Sequence, residues 1–163
     1  MKKTLGTMVL IMVVAILIGT FITARCATVR EASQDGRFIA YDNGTVLDTS
    51  TNLMWAAKDN GSDINWTNAK SYCQNYRGGG FTDWRMPTQA ELVGLYLGGL
   101  YDVSGKGHNG YHLTTLITLT DCCPWTSEVM GSNASRLNFT NNKWRISPQS
   151  SGKGRVLPVR SAK

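Results

Sequence analysis

Phe81-Thr82-Asp83-Trp84-Arg85-Met86-Pro87-Thr88-Gln89-Ala90-Glu91-Leu92-Val93-Gly94-Leu95-Tyr96 is the stretch from which the fold is read. Pro87 ends an irregular approach in which Asp83 precedes Trp84-Arg85 in a turn. Thr88 and Glu91 then stand at capping-box spacing, where each side chain can meet the other residue's backbone N–H. Leu92, Leu95 and Tyr96 fall at i, i+3 and i+4, the inward stripe of an α-helix. The spacing predicts a helix that starts after Pro87 and stops at Gly98-Gly99.

Upstream, Thr67 can cap a helix whose apolar residues Ala69, Tyr72, Cys73 and Tyr76 share one face, so Cys73 points inward. Gly78-Gly79-Gly80 ends it, being too flexible to continue a helix. Earlier still, Phe38 to Tyr41, Thr45 to Leu47 and Leu53 to Trp55 are short β-prone runs, the first two separated by Asp42-Asn43-Gly44, which suits a tight hairpin. Downstream, residues 98 to 112 are rich in Gly, Ser and Asn and read as a surface loop. Strands follow at Pro124 to Ser127, Ser135 to Phe139, Lys143 to Ile146 and Arg155 to Val159, with Asn141-Asn142 as a turn. Strands, two helices, a loop and strands again make an α+β layout, not a parallel βαβ sheet.

The amino terminus is different in kind. Lys2 and Lys3 precede Thr4 to Ala24, an uncharged and largely apolar run that as a helix spans about 30 Å, enough to cross a bilayer core. Residues 1–25 are therefore expected to be a signal or membrane anchor, with the lysines inside. An uncleaved anchor, cleavage after Ala24 and lipidation of Cys26 all remain open, although Arg25 is a poor residue before a lipidated cysteine. In each case the remainder leaves the cytoplasm for the cell envelope. Residues 26–36, polar and without a period, read as a tether, and residues 37–163 as one domain.

Removing Lys2, Lys3 and Arg25 from the 17 basic residues leaves 14 against 11 acidic ones, a net charge of +3 instead of +6. That is a weak attraction for polyanions, and no nucleic-acid partner is expected. Of the four cysteines, Cys73 is expected to pair with Cys122 or Cys123 in an oxidising compartment. A metal site is not expected, because no Cys-x-x-Cys is present.

The catalytic inventory is thin, and no enzyme activity is expected. His108 and His112 flank Gly110 in the loop, so their i, i+4 spacing does not form a helical metal pair, and they read as surface residues. Ser104 and Ser127 have no evident histidine base. Asp83 and Glu91 have turn and cap roles instead of forming a carboxylate pair. Gly78-Gly79-Gly80 follows a helix instead of opening one, so no phosphate loop and no cofactor is expected. Asn43, Asn65, Asn133 and Asn138 match the glycosylation pattern but read as turn asparagines. Five tryptophans are expected to be mainly core. Trp144 is the exception, since it lies on a strand in Asn142-Lys143-Trp144-Arg145, where an aromatic face with cations beside it can hold a ligand. Lys143, Trp144 and Arg145, with Arg136 and Asn138 nearby, form the candidate ligand surface, while Thr88 is assigned to the framework.

Thr45-Val46-Leu47-Asp48 through Leu53-Met54-Trp55, Trp66-Thr67-Asn68-Ala69 with Tyr72-Cys73, the block Phe81 to Thr88 with Glu91-Leu92, Trp125-Thr126-Ser127 and the closing Pro158-Val159-Arg160 occur in an order that resembles the Lcl C-terminal domain family of bacterial surface proteins. The resemblance covers about residues 37 to 161. It implies a C-type-lectin-like mixed sheet with two helices and long loops, amino and carboxy strands pairing, and framework roles for Trp84, Arg85 and Glu91. The adhesin that names the family binds sulfated glycans, so the resemblance implies a carbohydrate or host-surface ligand, although fold does not fix function. Relatives often carry a cysteine near the closing Val-Arg, absent here, and the calcium motifs of sugar-binding animal lectins are missing too. The expected function is an extracytoplasmic, membrane-anchored binding module for a glycan or surface protein. A structural subunit of an envelope or appendage is the alternative. An oxidase of the formylglycine-generating type, similar in fold, is a remoter one.

Overall fold

The computed structural model of the chain describes residues 28–101 and 110–163. The apolar run, Cys26 and the part of the loop that holds Ser104 and His108 lie outside the described residues. Among those described, no helix is long and apolar enough to cross a membrane.

Among the described residues, eight strands and two α-helices follow one another as β1 (Glu31–Asp35), β2 (Phe38–Tyr41), β3 (Thr45–Asp48), β4 (Leu53–Ala56), α1 (Trp66–Asn75), α2 (Gln89–Tyr101), β5 (Trp125–Met130), β6 (Asn133–Asn138), β7 (Lys143–Pro148) and β8 (Val159–Ser161). They build two antiparallel sheets, of order β1-β2-β3-β4-β8 and β5-β6-β7. The α+β expectation holds.

Local chemistry explains the first sheet. Gly44 takes φ +78° in the β2–β3 turn, and Asn43 Oδ1 accepts from Thr45 N and Oγ1. Val46 and Trp55 face each other across β3 and β4 and are both fully buried. The carboxy-terminal β8 pairs with β4, placing Val159 opposite Trp55. Arg85 and Val159 exchange both backbone hydrogen bonds, at 2.9 and 3.0 Å, which ties the approach to α2 onto the last strand. The resemblance implied that amino and carboxy strands pair: β8 pairs with β4, whereas β1, the first described strand, lies at the opposite edge of the same sheet.

The larger core cluster includes Phe38, Val46, Trp55, Leu92, Leu95, Leu137 and Leu157. A smaller one joins Ala69 and Cys73 of α1 to Met86, Trp125, Ala134 and Val156, so the two sheets and both helices meet through buried apolar surface.

Several expectations are corrected. Residues 31–35 are not tether. They pair with β2, because Gly36 at φ +56° turns the chain and the Asp35 carboxylate is anchored by Thr114 and Thr115. Helix α1 is capped by Asn65, whose side chain accepts from Asn68 N, and not by Thr67. Helix α2 runs through Gly98-Gly99 to Tyr101. A Cβ on Gly98 would lie 2.6 Å from Arg37 Nη2, and one on Gly99 would lie 2.5 Å from Leu113 Cα and N, so these glycines serve close packing and not helix termination. The last strand is Val159–Ser161, whereas Arg155 makes only an isolated bridge with Pro124.

Cys122 and Cys123 are joined to each other, and Cys73 is a buried free thiol. The expected bridge from Cys73 to either of them is therefore absent. The cluster around Cys73 consists of α1, Met86, Trp125, Ala134 and Val156 and includes neither of the other two cysteines. Burial pushes the Cys73 thiol up to about 12.

Candidate functional site

The cleft lies between α1, residues 85–88 and the start of β5. Trp66, Lys70 and Gln74 stand at i, i+4 and i+8, hence on one helix face, and with Arg85, Met86, Thr88 and Ser127 they line a cavity of about 310 Å³. This falls at the lower end of the usual size of small-ligand sites, roughly 300–1,000 Å³.

Each wall has a structural reason for its position. Trp66 is half-buried: its ring packs against the smaller core cluster, and Nε1 donates to Thr126 O at 2.8 Å. The Lys70 ammonium lies 5.5 Å from the Trp66 ring centroid, a cation–π contact at the cleft rim. Met86 is buried beneath, and its segment is held by the Arg85–Val159 bridge. Ser127 N donates to Pro87 O at 2.8 Å, fixing β5 to the opposite wall.

The Thr88–Glu91 capping box is complete: Thr88 N donates to Glu91 Oε2 at 2.8 Å and Glu91 N to Thr88 Oγ1 at 3.2 Å. Glu91 is also gripped by the Arg85 fork, with Nη1 to Oε2 at 2.8 Å and Nη2 to Oε1 at 2.5 Å. Burial acts to raise the Glu91 carboxyl, but the hydrogen bonds from Arg85 and Thr88 and the guanidinium charge outweigh it and hold the group below its ordinary range. Glu128 receives Gln89 N–H on both carboxylate oxygens at 3.0 Å, capping the amino end of α2. Arg85 and Thr88 thus line the cleft and also brace the helix that forms its margin.

A pH dependence follows. Folded Glu91 holds its proton more weakly than the free side chain, whose ordinary value is 4.5. Its contribution to stability is therefore complete above that value and is lost as the pH falls through the depressed one. Because Arg85 is 43% exposed, solvent screens part of the pair, and Glu91→Gln is expected to cost about 1–2 kcal/mol at neutral pH. Urea midpoints at pH 7 and pH 3 check this: the wild-type advantage should shrink at the lower pH, and an equal gap at both would contradict it.

The earlier candidate surface is divided by the structure. Lys143, Trp144 and Arg145 are exposed on β7, an outer strand. Arg136 and Asn138 are not available to a ligand. β6 is the central strand of its sheet, and Arg136 is 9% and Asn138 5% exposed. The Arg136 guanidinium lies 4.9 Å from the Trp125 ring centroid and donates to Lys153 O and Ser147 Oγ, while Asn138 Oδ1 accepts from Thr140 N. Trp84 is buried, its Nε1 donating to Gly78 O at 3.1 Å and its ring meeting Tyr76 edge-on. His112 is not a surface residue: it is half-buried, its ring 5.1 Å from that of Tyr96. Among the described residues no group of three or more His, Cys, Asp or Glu is placed to hold a metal ion.

Trp66, Lys70 and Gln74 were missed as site residues. Their i, i+4, i+8 spacing is a readable signal, but the wall that makes it a cleft comes from residues 85–88 and Ser127, and the spacing does not announce that partner.

No curated protein matches the chain. The sequence model of the Lcl C-terminal domain matches residues 44–160, which takes in both helices, the cleft and all strands except β1, β2 and the end of β8. This match covers well over half of the chain, and the chain belongs to the Lcl C-terminal domain family.

Proposed function

We propose that this chain is an extracytoplasmic, membrane-anchored binding module that recognises a glycan or another surface ligand. The supporting observation is the cleft, in which an aromatic wall, an apolar floor and polar, cationic rims converge. Such a lining suits a sugar ring, whose C–H face lies on an aromatic side chain while its hydroxyls meet polar groups. The export part of the reading rests on the Thr4 to Ala24 run. No catalytic role is assigned.

The test is retention of the full chain, held in detergent, on glycan arrays and heparin at low salt. Trp66→Leu is expected to weaken retention roughly five- to tenfold with helix content unchanged. Retention on no glycan at all would remove the carbohydrate reading.

A second reading, a structural subunit of an envelope assembly, draws on Val129, Met130, Trp144 and Ile146. These are large apolar residues 48%, 48%, 39% and 53% exposed on the outer strands of one sheet. Crosslinking in intact cells separates the two, since a subunit gives discrete protein adducts whether or not glycans are present.

A further inference from the structure

We infer that the cleft takes a saccharide bearing a single carboxylate, with its ring on Trp66 and its anion met by the ammonium of Lys70. This rests on the glycan reading above and specifies the ligand class.

The charges around the cleft carry the inference. Two cations line it, Lys70 and Arg85. Arg85 is already committed, since both ends of its fork are on the Glu91 carboxylate. A ligand anion at that guanidinium would meet a charge already balanced by Glu91, so its attraction there is weaker than at an ammonium without a carboxylate partner. Lys70 is exposed, and its ammonium lies over the Trp66 ring. That contact is weak at an exposed site and is exchanged for a carboxylate at little cost.

The same geometry disfavours a multiply charged ligand. Glu91 stands behind Arg85, and Glu128 stands next to Ser127, with its carboxylate on the amino end of α2. Further anionic groups would approach these carboxylates without an uncommitted cation to meet them. The volume of about 310 Å³ suits one ring with its substituents. Because Trp66 and Lys70 are one turn apart, the ring that lies on the indole takes the place of the ammonium and leaves it beside a carboxylate at the ring edge.

The experiment measures binding of glucuronate- and galacturonate-terminated oligosaccharides to the full chain in detergent, alongside their neutral hexose counterparts and heparin, at two salt concentrations. The acidic sugars are expected to bind roughly five- to tenfold tighter than the neutral ones. Lys70→Gln should abolish that preference, bringing acidic and neutral sugars to equal affinity, and Lys70→Arg should keep it. Lys70 is exposed, so both variants should show the wild-type thermal midpoint. Equal binding of acidic and neutral sugars, or a preference that survives Lys70→Gln, overturns the assignment and leaves the glycan reading standing. Heparin that binds tighter than the uronates, with no dependence on Lys70, overturns it in the same way. Binding of no saccharide removes both.

Discussion

Replacing Trp125 with alanine is expected to destabilise the domain by about 4 kcal/mol, the scale of emptying a large buried aromatic site. Trp125 is fully buried and is the hub of the smaller core cluster, where Ala69 and Cys73 of α1 meet Ala134 of β6 and Val156. Its Nε1 donates to Ile64 O at 2.9 Å, just ahead of α1. Its ring is the surface on which the buried Arg136 guanidinium rests. Truncation opens a cavity and at the same time leaves a charged group with less support. Chemical denaturation followed by far-UV circular dichroism measures the loss. A change within about 0.5 kcal/mol, the level of an ordinary surface substitution, would mean that the hub is not where the contacts place it.

The second large effect is expected at Gly99, with Gly94 as its contrast. Both lie inside α2, where exchanging glycine for alanine ordinarily gains up to about 1 kcal/mol. Gly94 has nothing within 4 Å of a Cβ, so Gly94→Ala should show that gain. At Gly99 the added methyl would sit 2.5 Å from two backbone atoms of Leu113 and 2.8 Å from His112 C. Backbone cannot turn aside as a long side chain can, and Gly99→Ala is expected to cost roughly 2–3 kcal/mol. Thermal midpoints of the two variants should therefore move in opposite directions. A rise for both would show that the segment after α2 does not press against the helix.

Features set by near neighbours in the chain were legible in the sequence. The Thr88–Glu91 cap, the inward stripe of α2, the inward Cys73 and the Asn43-Gly44 turn each depend on residues within one turn of each other, and each is formed. What was not legible depended on distant partners. Gly98 and Gly99 read as a stop because glycine disfavours helix, yet Arg37, Phe38 and Leu113 come close enough to require them. β1 looked like tether because its residues are polar and without a period, and its order comes from β2 and from Asp35 reaching Thr114. Arg136 and Asn138 alternate with apolar residues as solvent-facing positions would, but both faces of β6 are covered, with successive residues 134–138 all buried. The candidate site followed the same division. Trp144 stood out beside two cations in sequence, whereas the cleft exists only because α1, residues 85–88 and β5 are brought together by the smaller core.

The late place of β8 among the strands of its sheet has a consequence for biosynthesis. Polypeptide emerges amino terminus first, so the β1 to β4 meander is available long before the strand that completes its sheet. Until residues 159–161 arrive, β4 exposes an unoccupied ladder and Arg85 lacks its backbone partner. A transcript cut short before residue 159 would release a polypeptide with an adhesive, unfinished border, the kind of species that holdase chaperones retain and quality-control proteases degrade.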